Sequence, residues 1–406
     1  MQLSIWRTFS AAPHRVMFFA GGLQGILALA WWLADLGGRY GGFYPPIAWT
    51  LPPIWGHAFL MLYGFFPFFI FGFLMTAAPN WVNGGKVEAR FYVPAFFGMA
   101  GGIALFYAGL ALAKPLAELG VALYLAGFLI GWYALLKIVA LSPHPDKRHA
   151  LTVIAVVFVG WLGAAAYLAW LLGGSYAMLR FAVFGGLWFF LLPTFVSVSH
   201  RMIPFFSSVV LPAYTMRRPY WALFALLGGM LAHGLLELNG GQAWLWLADA
   251  PMALVALYLS LAWRIAQSFQ IRLLAVLHLG FFWLFLALAL YSAQSLLVFV
   301  SGRPVLGMAP LHALTIGYFA SMVLGMVSRV TLGHSGRPLV ADTPTWLLFL
   351  AFQATALLRI LADTPLVFSP GAFYLLAAAV WLACFSFWGL KYLPAYLRPR
   401  VDGKEG

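Results

Sequence analysis

The stretch that decides the reading is Met308–Leu339, MAPLHALTIGYFASMVLGMVSRVTLGHSGRPL. It is apolar along most of its length and carries a histidine near each end, His312 and His334. Taken as one helix, the 22 residues from one histidine to the other cover about 33 Å. The hydrocarbon core of a bilayer is about 30 Å thick. The stretch therefore reads as a transmembrane helix whose two histidines lie near opposite membrane faces and cannot share one metal.

The rest of the chain repeats this pattern. Only 8% of its 406 residues are charged and 64% are apolar, whereas soluble domains carry roughly 25% charged residues. Apolar runs of membrane-spanning length recur from end to end, and no stretch is polar enough for a separate soluble domain. The fold class is all-α: a single transmembrane domain over residues 1–406. Twelve spans are expected, at about 16–34, 53–78, 92–113, 116–140, 150–172, 177–200, 219–239, 245–264, 272–298, 306–332, 344–361 and 370–392. Glycine pairs, prolines and charges punctuate them. The apolar run after Arg7 and Arg15 lacks a small-residue cleavage pattern and reads as an uncleaved first span.

The basic residues test this arrangement. With the N-terminus in the cytoplasm, eighteen of the 23 lysines and arginines, Lys404 among them, fall on the inner side. Five fall outside: Arg39, Lys114, Arg180, Arg303 and Arg359. This is the positive-inside bias. It accounts for the net charge of +13 without invoking nucleic acid. Both termini are expected in the cytoplasm, and the protein in the inner membrane of a bacterium. The single cysteine, Cys384, excludes disulfides within the chain, thiolate zinc sites, iron–sulfur clusters and CxxCH haem attachment.

The polar groups inside spans are mostly histidines. No Asp or Glu is expected at the middle of any span, and Glu237 lies near an end. Alternating span direction places His57, His233 and His312 at one outer depth. His200, His278 and His334 lie at the cytoplasmic ends of spans. His14, His144 and His149 belong to cytoplasmic segments and are expected to be solvated. Two neutral imidazoles on two helices are what axial ligation of a b-type haem requires. Its propionates would find basic partners among Arg39, Arg180, Arg303 and Arg359. His233 and Glu237 share a helix face, so the carboxylate is placed to orient the imidazole or simply to bond it. The stripe of Met322, Met326 and Phe319 below His312 reads as packing.

Three blocks resemble the NnrS family of bacterial membrane proteins: GFLMTAAPNWVNGG (72–85), HRMIPFF (200–206) and HALTIGYFASMVLGMVSRVTLGHSGRPL (312–339). The resemblance implies a role in nitric oxide metabolism, denitrification and nitrosative stress, with haem and copper as cofactors. Span 2 departs from the family pattern His-Ala-His-Glu-Met, for this chain has His57-Ala58-Phe59-Leu60-Met61. A more distant similarity is to the catalytic subunit of haem–copper oxidases and nitric oxide reductases, and so to their twelve-helix bundle. There, His57 and His312 match the ligands of the low-spin haem. Pro310 stands where the high-spin haem ligand would be, and Gly185–Phe190 lacks the copper-binding histidine. The resemblance thus implies one haem b on His57 and His312, with Arg39 and Arg303 beside it. Copper would need another set, from His233 outside or His200, His278 and His334 inside. Three functions stand open. The chain is a haem protein that binds or reduces nitric oxide, or a b-type haem electron carrier served by quinol or a periplasmic donor, or a transporter or sensor without redox chemistry.

Overall fold

The computed structural model describes residues 5–403, so Lys404 lies outside the described residues. No strand occurs among them. Eleven helices are long and apolar enough to cross a membrane: α1 (Pro13–Arg39), α2 (Pro53–Trp81), α3 (Ala89–Ala111), α4 (Lys114–Leu141), α5 (Arg148–Leu171), α6 (Tyr176–Val210), α7 (Tyr220–Leu238), α9 (Arg272–Ser301), α10 (Ala309–His334), α11 (Thr343–Leu361) and α12 (Pro370–Leu397). The twelfth expected span is α8, Trp246–Ala262, an apolar helix of 17 residues. At about 25 Å it is shorter than the others, and it is preceded by a 3-10 turn at Gln242–Trp244. Every expected span is thus a helix. The protein is an all-α, multi-pass membrane protein.

Proline sets several helix starts. Pro13, Pro53, Pro115, Pro310, Pro344 and Pro370 stand at the first or second helical position, where the missing N–H costs nothing. Pro67 acts differently, because it falls inside a span. Its ring removes the amide that would bond the Tyr63 carbonyl, so α2 divides into Pro53–Leu62 and Phe66–Trp81. The freed Tyr63 carbonyl accepts instead from the Tyr124 hydroxyl of α4, at 2.6 Å. His57 stands on the first of these two pieces.

Helices α3 and α4 form a hairpin whose backbones touch. A Cβ added at Gly102 would lie 2.6 Å from the Gly120 carbonyl oxygen, and one at Gly109 would lie 2.2 Å from the Ala117 nitrogen. Such contact between small residues is the usual packing of helices in lipid, where dispersion replaces the hydrophobic effect.

Burial separates interior helices from rim helices. The apolar windows of α2, α10, α6 and α9 are buried for 89%, 78%, 72% and 67% of their residues. Those of α11 and α7 are buried for only 28% and 33%. Five of the six candidate metal histidines stand on the four interior helices, and His233 stands on α7.

The two ends of the described chain share a face. Arg15 Nη1 donates to the carbonyls of Tyr396 and Arg398, at 3.1 and 3.0 Å. The His14 ring packs on that of His334 with centroids 4.6 Å apart. The start of α1 and the ends of α10 and α12 therefore meet on one side. Arg39, His57, His312 and Arg359 lie at the opposite helix ends.

Candidate functional site

The helix ends opposite the chain termini bring His57 and His312 together. The two lie within electrostatic range of one another and of Arg359, and His57 is also in range of Arg39. Both side chains are half-buried, although they stand on the two most buried spans.

The donor chemistry is set locally. His312 Nδ1 is 2.9 Å from the Met308 carbonyl oxygen. A carbonyl only accepts, so the proton is on Nδ1 and the Nε2 lone pair is free. Pro310 places His312 in the first turn of α10, and a π-helical segment, Ala313–Ala320, follows at once. Such segments re-aim side chains and recur at functional sites. Neither nitrogen of His57 has a hydrogen-bond partner, and its Nδ1 is buried. Its ring is held by stacking on Trp32, with centroids 4.1 Å apart and planes 15° apart.

The cations beside this pair differ in part from expectation. The Arg39 guanidinium stands 5.1 Å above the Trp32 ring and is paired with buried Asp35. Asp35 also accepts from Trp49 Nε1 at 3.0 Å. Arg359 pairs with Asp363 at 2.5 Å and lies over Tyr374 at 4.4 Å. Both guanidiniums keep unused donors. Arg303, the other expected partner, is exposed and its side chain contacts neither histidine. Arg359 takes that place, because α11 and not the loop before α10 packs against His312.

His233 is fully buried, and its partner is not Glu237. Its Nδ1 is 2.6 Å from Oδ1 of Asp249, itself fully buried on α8. Trp188 stacks on the other side of the ring, with centroids 3.3 Å apart. The Glu237 carboxylate accepts instead from Gln242, at 3.4 Å. Glu237 is therefore not alone among carboxylates near a span end: Asp249 and Asp35 are buried there as well. Both sit within a turn or two of a helix end, where hydropathy alone does not separate a solvated carboxylate from a buried one.

The inner histidines form three separate groups. His200 Nε2 donates to the Pro219 carbonyl at 3.2 Å, and its Nδ1 accepts from His149 Nε2 at 3.0 Å. His149 Nδ1 in turn faces the Tyr220 hydroxyl at 3.3 Å, which donates to Asp146 at 2.9 Å. Both nitrogens of His200 are thus engaged. His278 bonds Ser207 at 3.0 Å. His334 faces His14, whose Nδ1 is buried without a partner. His14 and His149 are buried and not solvated as expected. His200 and Tyr220 cover His149, and the closing of the chain ends covers His14, and neither shows in local hydropathy. Among the described residues, no three His, Cys, Asp or Glu side chains converge on one metal position.

Between α2, α6 and α10 lies an apolar cavity of about 50 Å³, lined by Phe69, Phe73, Phe195, Met322 and Met326 among others. The methionine stripe packs here as expected, and it also leaves a dry space.

Taken together, these features define a multi-pass helical membrane protein with a histidine pair near one face of its central helices. The chain belongs to the NnrS protein family, which it matches over residues 8–400. That is a family of nitric-oxide-related membrane proteins, known to hold haem and copper. No curated protein matches the chain.

Proposed function

We propose that the protein holds a b-type haem between His57 and His312 in the outer half of a bacterial inner membrane, and serves nitric oxide metabolism through it. The observation that supports this most directly is the pairing itself. Two histidines on the two most buried spans lie within electrostatic range of each other, each with a nitrogen free of other bonds among the described residues. The residues fit the group. His312 has the tautomer a ligand needs, fixed by its Nδ1 bond to Met308. Arg39 and Arg359 stand at the same depth with donors to spare for propionates.

A haem supplies one-electron redox chemistry and a binding place for a small gas. His57 and His312 would both hold the group, so taking up nitric oxide there would require one of them to yield. His57 is the one free to move, since stacking on Trp32 is its only tie, whereas a hydrogen bond anchors His312. Nitric oxide is apolar enough to arrive through lipid. The dry cavity between α2, α6 and α10 offers it room inside the bundle. For copper, His14 and His334 are the inner pair whose rings face each other with nitrogens unused.

The test is a reduced-minus-oxidised spectrum of the purified protein, with iron and copper counted and nitric oxide titrated in. A Soret band lost in both His57→Ala and His312→Ala supports the reading. Full haem content in those variants refutes it. A haem reduced by a quinol analogue but spectrally blind to nitric oxide favours the electron-carrier alternative.

A further inference from the structure

The segment Asn83-Gly84-Gly85 closes one of the blocks quoted above, yet it stands far from the histidine pair. The structure gives it a different setting. It lines a cleft of about 270 Å³ with Lys86, Val87, Glu88, Phe91, Lys137, Ile138, Leu141 and neighbouring residues. The cleft lies where the end of α2, the start of α3 and the end of α4 meet, on the face that carries most of the basic residues.

Charge accounting shows what the cleft lacks. Glu88 is its one carboxylate, and it is already paired with Arg90 at 2.8 Å. Lys147 covers the Val139 carbonyl near the end of α4 at 2.9 Å. Two cations remain without an anion. Lys86 is exposed, and Lys137 is half-buried with its ammonium 5.3 Å above the Phe91 ring.

The backbone is also short of partners. Asn83 adopts a left-handed conformation with φ of 50° and turns the chain out of α2. Beyond it, the amides of Gly85, Lys86 and Val87 donate to no carbonyl or side chain among the described residues. A Cβ at Gly85 would meet nothing within 4 Å. Consecutive unpaired amides beside two uncompensated lysines are the chemistry that binds phosphate.

The walls point to its source. Phe91 lies 6.0 Å from Tyr133, and Tyr133 and Leu141 expose 51% and 73% of their surface on the outside of α4. In a membrane that surface faces acyl chains. A polar cleft that opens onto apolar surface at the interface fits an amphiphile better than a free ion. We propose that this cleft binds the phosphate headgroup of an anionic phospholipid, with its acyl chains lying along α4.

Native mass spectrometry of the purified protein with equal phosphatidylglycerol and phosphatidylcholine tests this. The wild type should retain phosphatidylglycerol in preference by on the order of tenfold, as two interfacial cations imply. Lys86→Gln with Lys137→Gln should bring the ratio close to unity, while Lys114→Gln on the other face should leave it unchanged. Lys86 is exposed, so Lys86→Gln alone reports even if the double variant fails to fold, and it should lose part of the preference. A wild type without preference, or a double variant that keeps it, overturns the proposal. Displacement of the lipid by millimolar inorganic phosphate also overturns it, because the occupant would then be the free anion.

Discussion

The break in α2 makes a testable statement about a single carbonyl. Pro67 has no amide, so the Tyr63 oxygen is served by the Tyr124 hydroxyl at 2.6 Å. Tyr63 and Tyr124 are almost completely buried. Tyr124→Phe removes that donor and keeps the ring, which packs against Phe59 and Phe128 with centroids 5.9 and 5.8 Å away. A buried carbonyl left unpaired costs about 1–3 kcal/mol, so the variant should lose that much stability. Pro67→Ala restores an amide four residues after Tyr63, able to take the same oxygen. In that background Tyr124→Phe should cost less by at least about 1 kcal/mol. Reversible unfolding in mixed micelles of rising SDS fraction measures all four corners of the cycle. Independent sites add within about 0.3–0.5 kcal/mol. If Tyr124→Phe costs the same in both backgrounds to within that margin, the account of the break is wrong. The same cycle bears on the site, because the piece cut off by the break carries His57. A straightened α2 should alter the spectrum of the proposed haem even where stability is kept.

Other outcomes follow from the buried groups. Asp249→Ala leaves the His233 Nδ1–H without an acceptor at a fully buried position and should cost about 1–3 kcal/mol. Asp249→Asn keeps an acceptor and should cost well under half of that, and equal losses in the two variants would show that the bond does not matter. At the start of α11, the Lys391 ammonium, followed by the hydrogen bonds from Thr345, holds the Asp342 carboxyl down to about 2. A depressed carboxyl stabilises the fold above its unfolded value near 3.9 and loses that contribution as pH falls toward 2. The pair is largely exposed, so the effect should stay below about 1 kcal/mol. Asp342→Asn should remove this slope from an unfolding series between pH 4 and 2, and an unchanged slope would assign it elsewhere.

Much of the architecture was legible from residue order. A bilayer has a fixed thickness and a fixed polarity profile, so each apolar run of the right length becomes a helix, and charge bias orders the helices by direction. That is why the eleven long apolar helices and the shorter α8 stand close to where hydropathy places spans, and why His57 and His312 share a depth. The approach of Arg15 to Tyr396 and Arg398 brings the N- and C-terminal ends of the described chain to one face.

Depth, however, is one coordinate of three. Which histidine meets which partner depends on how each helix is rotated about its axis and which helix lies beside it. Hydropathy with little periodicity says almost nothing about either. Hence His149 joins His200, His14 joins His334, and Asp249 rather than Glu237 bonds His233. The i,i+4 spacing of Glu237 made it a neighbour along one helix, but α8 packs against α7 and brings a closer carboxylate. The π-helical turn after His312 likewise leaves no local signature beyond Pro310. The sequence by itself determined the number, direction and depth of the helices, because water and lipid act on each segment alone. Only the tertiary structure decided the pairings that make a site, because those depend on packing between segments distant in the chain.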